Sequence, residues 1–257
     1  MPPHPLRRRC QSRPAHERAA AVAALAVLAG CTVPVNWFGR RPVPPPTQTT
    51  TWESDTAAGA KAFEAGRLDE AERDLELARE RAAGPTGNDL ALATSLGNLA
   101  VVRRAQGDTA GAIELQKQAV AVREKALGPN HPDVATSLNS LAALYGAQDN
   151  YAAAEPLLVR ALAIREKAFG ADDHYTAQSV NNLALLYAAQ GRYAEAEPLY
   201  RRALAIFEQR KDPTEVATAL ENYAALLDET GRAAEAEQME TRARALRATD
   251  VIKKSNQ

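Results

Sequence analysis

The chain has 257 residues and is 46% hydrophobic but only 5% aromatic. Much of its apolar content is alanine, which favours helix and lets helices pack closely, so a helical stack suits it better than a β-sandwich or a deep-pocketed α/β enzyme. The net charge of −1 hides an asymmetry: residues 1–30 hold five arginines and one acid, leaving 26 basic against 31 acidic residues in the rest. A mildly acidic body argues against nucleic acid as a partner.

The first element is a basic stretch, Arg7 to Arg18, followed by an apolar run from Ala19 to Ala29. Eleven residues are too few to cross a bilayer, which takes about 20 in a helix. Basic residues followed by a short apolar run are the order of a secretory signal peptide. The run ends in Leu28-Ala29-Gly30-Cys31. That tetrapeptide resembles the lipobox of bacterial lipoproteins, which implies a signal peptide over 1–30 and a mature chain beginning at an acylated Cys31. Several acyl chains on one residue would hold a membrane where a single chain binds only marginally. Ordinary signal cleavage nearby, giving a soluble periplasmic or secreted protein, is the alternative. Thr32, rather than Asp, follows the cysteine; by resemblance to enterobacterial sorting this points to the outer membrane, on its periplasmic side.

Residues 31–53 then read as a tether, with Pro34, Pro42, Pro44, Pro45 and Pro46 ahead of a threonine run. At about 3.1 Å per residue, the extended proline-rich stretch from Thr32 to Thr51 reaches about 60 Å. Cys10 and Cys31 are the two cysteines, so the body has neither a disulfide framework nor a thiolate metal site.

From residue 54 to 247 the sequence repeats itself. Residues 94–128 (TSLGNLAVVRRAQGDTAGAIELQKQAVAVREKALG) align with 136–170, with 178–210 and with 218–246, at offsets of 42, 42 and 40, and a degenerate copy occupies 54–83. Each copy predicts two amphipathic helices. In the first, apolar residues recur at three- and four-residue spacing, as in Leu138, Leu141, Ala142, Leu144 and Tyr145. A turn follows at Gly66, Gly107, Asp149, Gly191 and Gly231, residue types that accept a left-handed backbone. The second helix carries alanine at two matched points, Ala71/Ala112/Ala154/Ala196/Ala236 and Ala78/Ala119/Ala161/Ala203/Ala243, where small side chains let two helices approach closely. One such pair cannot bury its apolar face alone, so the pairs must stack. Residues 248–257 read as a polar C-terminal tail.

The LNNLA-type start, the YAEAEPLYRRALAI second helix and the GPNHPDVA connector resemble the tetratricopeptide repeat, in the 42-residue form of kinesin light chains and many bacterial proteins. The resemblance implies an all-α fold, a right-handed superhelical solenoid of about five helix-turn-helix repeats whose first helices line a concave groove. It also implies that the groove binds other proteins or extended peptide segments. Just before the Leu-Ala or Tyr-Ala pair of each first helix stand Asn98, Ser140, Asn182 and Asn222, and one residue earlier Gly97, Asn139, Asn181 and Glu221. An asparagine amide both donates and accepts, so a ladder of them can bind a peptide backbone. Asparagine ladders in the family carry that role to Asn98, Asn182 and Asn222, and by adjacency to Asn139 and Asn181. The competing reading is that these amides only tie neighbouring helices together. A clamp for a terminal carboxylate is disfavoured, since Arg103 and Arg104, the groove-side basic residues, fall in one copy.

No catalytic, cofactor or metal site is expected. His4 and His16 precede Cys31, while His131 and His174 sit in connectors and do not align; His131 is read as a helix-start residue. No zinc-protease motif, phosphate-binding glycine loop or nucleophile elbow occurs. The many Glu and Arg at three- and four-residue spacing read as solvated faces with weak ion pairs. These readings converge on a bacterial envelope lipoprotein acting as a non-enzymatic scaffold, with no small-molecule substrate.

Overall fold

The computed structural model describes residues 51–84, 88–210 and 212–255. The expected signal peptide, Cys31 and most of the tether lie outside them. Among the described residues the secondary structure is entirely helical: α1 (Thr51–Glu64), α2 (Leu68–Ala82), α3 (Asp89–Ala105), α4 (Thr109–Leu127), α5 (Pro132–Gly146), α6 (Tyr151–Phe169), α7 (His174–Ala189), α8 (Tyr193–Arg210), α9 (Pro213–Glu229) and α10 (Ala233–Ser255). They form two compact units divided within α7, between Ser179 and Val180.

Helix starts follow from local chemistry. Asn88, Asp108, Asn150 and Asp212 accept backbone N–H bonds from the first turns of α3, α4, α6 and α9. His131 Nδ1 accepts from Asp133 N, which makes it the N-cap of α5. Before α2, α8 and α10 an arginine stands instead, and Arg67, Arg192 and Arg232 each pair with a glutamate three residues on: Glu70, Glu195 and Glu235.

Every hairpin turn closes in the same way. In each, the N–H of the residue just after the left-handed one returns to a carbonyl five residues back: Arg67 to Ala62, Asp108 to Arg103, Asn150 to Tyr145, Arg192 to Tyr187 and Arg232 to Leu227, at 2.8–3.0 Å. This is the Schellman closure, which needs a left-handed residue at its centre. Glycine supplies it four times, with φ between 73° and 89°, and Asp149 at φ 56° supplies the fifth.

In the N-terminal unit, α1 with α2, α3 with α4 and α5 with α6 form hairpins that stack in sequence. Ala100, Ala112, Val120, Val134, Leu138, Leu141 and Ile164 share one core, and Ala62, Ala71, Leu75, Leu99 and Val102 another. In the C-terminal unit, Ala184, Ala196, Tyr200, Tyr223, Leu227 and Ala236 bring α7, α8, α9 and α10 together. The ten matched alanines are at most 1% exposed, as close helix approach requires. The degenerate first copy solves the same problem differently. A Cβ on Gly59 of α1 would lie 2.6 Å from Leu75 Cγ, so the helix reaches α2 through a bare backbone rather than an apolar stripe.

Two boundaries differ from the sequence reading. Helix α1 begins at Thr51, ahead of residue 54, and α10 continues to Ser255, past residue 247. No glycine or proline follows Gly231, so nothing in the backbone stops α10.

The reading of the arginines as solvated is corrected at two positions. Arg123 and Arg165, matched across copies, are only 4% and 3% exposed. Arg123 donates to Ser137 Oγ of the next first helix, beside a bond from Gln116 Nε2 to Ser137 O at 3.1 Å. Arg165 donates to Tyr175 O (2.8 Å), to Ser179 Oγ (3.2 Å) and, on its own hairpin, to Thr136 Oγ1 (3.2 Å). Burial pulls the Arg165 guanidinium down to about 10, opposed by Tyr175 and Asp173. Phe207 and Ala219 hold the corresponding positions in the C-terminal unit, and both are buried. At the start of the array the pair reads Ala82 and Ser95; both are buried, and Ser95 Oγ has no hydrogen-bond partner among the described residues. Interface chemistry therefore changes along the chain while the backbone repeats.

Candidate functional site

The asparagines expected to line a binding face all lie on first helices, and the structure sorts them into two kinds. Asn139 Nδ2 donates to Ser179 Oγ at 3.2 Å, linking α5 to the start of α7. Asn181 is 8% exposed and its Oδ1 accepts from Asn222 Nδ2 at 3.4 Å, linking α7 to α9. These three tie neighbouring first helices together. Asn98 on α3 and Asn182 on α7 are half-buried and make no side-chain hydrogen bond within the described residues. Their amides keep full donor and acceptor capacity toward anything laid across the helix.

Three hydroxyls on the first helices are already committed. Thr94 Oγ1 donates to Leu90 O, Ser140 Oγ to Thr136 O, and Thr218 Oγ1 to Thr214 O, each bonding back one turn. Close to Asn98, Val101 is 37% exposed. Arg103 is held by Glu72 at 2.5 Å and by Asp108 at 3.7 Å, so it is not a free anchor for a ligand carboxylate. Within each unit, the first helices offer amides and small apolar groups. Such a surface recognises peptide backbone and modest side chains better than a charged terminus.

Charged groups outside this face serve packing. Glu197 accepts from Arg232, Arg201 and Tyr223, which joins α8, α9 and the start of α10 and holds its carboxyl below the usual range. Arg160 pairs with Glu124, and Arg242 with Glu208, each at 2.6 Å in the same register, clipping one second helix to the next. The Arg242–Glu208 pair borders an open pocket of about 300 Å³ with Val216 and Leu246 in its wall. No group of three metal-ligating side chains gathers among the described residues, and no helix there is long and apolar enough to cross a membrane.

Sequence reasoning gave all five asparagines the same possible role, and only their hydrogen bonds separate Asn98 and Asn182 from the rest. The signal that could have found the difference is Ser179, at the same repeat position as Ser95 and Ser137. A small hydroxyl there lies within reach of Asn139.

The tetratricopeptide repeat family matches the chain over residues 55–125, 91–167, 133–209 and 175–249. Among solved structures, BtubC (BKLC) from P. vanneervenii is similar over 92% of each chain, at 22% identity and a TM-score of 0.68. A Podosopora anserina putative kinesin light chain with nearly identical TPR-like repeats covers 79% of this chain and 99% of its own, at 24% identity and a TM-score of 0.63. A Rap protein complexed with Competence and Sporulation Factor shows 19% identity and a TM-score of 0.65, over 79% of this chain and 56% of that one. No curated protein matches the sequence. At these identities the structural likeness is one of fold.

Proposed function

Because the chain belongs to the tetratricopeptide-repeat family, a fold of protein-interaction scaffolds that is typically non-catalytic, we propose that it is a bacterial envelope scaffold without enzymatic activity. Lipid on Cys31 anchors it to a membrane, on the periplasmic side of the outer membrane. Its first helices take other proteins or extended peptide segments. The observation that carries the binding role is the pair of half-buried, uncommitted amides on two first helices, Asn98 and Asn182. The Rap protein in complex with Competence and Sporulation Factor supports it, as a similar fold holding a bound factor. The basic flank, the short apolar run and Leu28-Ala29-Gly30-Cys31 support the anchor.

Two measurements test the two halves separately. Asn98→Ala and Asn182→Ala should each weaken a captured partner severalfold, and together by about tenfold or more, at about 1 kcal/mol per lost bond. Helicity and melting should stay as in the parent. Asn139→Ala should act the other way, lowering stability with little effect on affinity. Unchanged binding in the double variant ends the amide assignment.

For the anchor, intact mass of the membrane-extracted protein should show a chain beginning at residue 31 with acyl mass added. Cys31→Ser should lose that addition. An unacylated mature chain would favour the soluble periplasmic or secreted alternative and leave the scaffold in place.

A further inference from the structure

Glu124 of α4 and Arg160 of α6 correspond in register to Glu208 of α8 and Arg242 of α10, and each arginine meets its glutamate at 2.6 Å. Arg160 has a second partner: its Nη2 donates to Pro129 O at 2.8 Å, in the connector between α4 and α5. The connector between α8 and α9 is shorter. His131, the N-cap of α5, follows Glu124 by seven residues, whereas Asp212, the N-cap of α9, follows Glu208 by four. Arg242 keeps its glutamate and finds no second partner among the described residues.

Beside Arg242 lies the open pocket of about 300 Å³, within the C-terminal unit, with Val216 and Leu246 as its apolar wall. Leu246 is half-exposed there, while Ile164 and Ile206, in the same register, are 4% and 3% exposed. The other polar groups of the pocket are spent. Asp212 Oδ1 accepts from Thr214 N and Glu215 N, Glu208 is held by Arg242, and Thr249 Oγ1 donates to Leu246 O. The hydrogens left for a ligand are those of the guanidinium.

We propose that this pocket is a second binding site, lined by none of the first-helix amides, and that it takes a proline-bearing turn of a partner protein, carbonyl first. The chain carries the precedent itself, since a proline carbonyl fills the corresponding place on Arg160. Proline suits the site because it brings a carbonyl and an apolar ring but no N–H, so it asks for no acceptor that the pocket lacks. Arg242 can hold that carbonyl by a charge-assisted bond without releasing Glu208, as Arg160 holds Pro129 and Glu124 together. Glu208 and Asp212 in the wall disfavour an anionic ligand, which leaves the neutral carbonyl as the matching acceptor.

The test uses the full chain carrying Cys31→Ser, isotope-labelled for NMR, and a blocked peptide copying residues 127–132, Leu-Gly-Pro-Asn-His-Pro. The Arg242 Nε–H signal should move saturably, with a Kd of about 1 mM or tighter. The Arg160 signal, whose place Pro129 already fills, should stay still. Arg242→Lys keeps a cation for Glu208 but loses the second N–H direction, and should weaken binding by about tenfold, read on the Leu246 amide. The peptide with alanine in place of Pro129 should also bind more weakly. Asn98→Ala with Asn182→Ala should bind it as the parent does, which keeps this site separable from the amide assignment. A still Arg242 signal at about 10 mM peptide overturns the proposal, as does binding that survives Arg242→Lys or is lost with the two asparagines. So does an Arg242 signal that Pro44→Ala with Pro45→Ala displaces in the free protein, because the chain's own prolines would then be the occupant. If Arg242→Lys folds poorly, Thr249→Trp, at an exposed residue of the pocket, leaves the arginine in place and must itself abolish binding.

Discussion

Arg165→Ala is expected to destabilise the protein by about 3–5 kcal/mol, from a buried cavity plus orphaned acceptors. The guanidinium bridges Tyr175 O, Ser179 Oγ and Thr136 Oγ1 and is itself 3% exposed. Alanine removes the filling and the donors together. Arg165→Met keeps most of the volume and avoids taking a cation out of water, but it leaves the same acceptors without a donor, so it should cost about 1–3 kcal/mol, less than alanine. Thermal melts followed by circular dichroism separate the two, with alanine lower by about 10 °C at this chain size. Equal melting of alanine and wild type would mean that the buried arginine contributes nothing.

Ala112→Leu should be nearly as damaging for the opposite reason. Ala112 is 0% exposed at the point where α4 crosses α3, and its four counterparts are all alanine and at most 1% exposed. Three added carbons have no volume to enter, and overpacking of this kind costs about 1–3 kcal/mol and often shifts backbone. Because repeats couple only through their neighbours, the loss falls on one hairpin. The melt should broaden or split rather than simply shift. Ala121→Leu, at an exposed position on the same helix, serves as the control and should stay within about 0.5 kcal/mol of the parent. A sharp, unshifted melt for Ala112→Leu would show that helix approach is not what the alanines protect.

Much of the fold is legible in the sequence because a repeat displays each constraint several times. The left-handed turn residue, the matched alanines and the three- and four-residue apolar spacing recur at fixed offsets, and each has one physical meaning. The first copy shows how that legibility fails: α1 has little apolar stripe, and it is held through Ala62 and the 2.6 Å approach at Gly59. Buried arginine was not legible for a different reason. Arg123 and Arg165 look like any arginine on a helix, and their role depends on Ser137 and Ser179, fourteen residues later on another helix. The asparagines are an intermediate case. Their residue type and position were readable, but whether an amide is spent on a neighbour or left for a ligand is decided by distances such as 3.2 Å from Asn139 to Ser179.

The change from Arg165 and Ser179 to Phe207 and Ala219 also limits how the array can gain or lose copies. Deleting the third copy would put Arg123 before Ser179, and duplicating it would put Arg165 before Ser137; both junctions are matched. Deleting the fourth copy would instead bring Arg165 to Ala219, a buried cation facing a methyl group, and duplicating it would set Phe207 on a serine. By this interface chemistry, a change in copy number is tolerated at the third copy and penalised at the fourth.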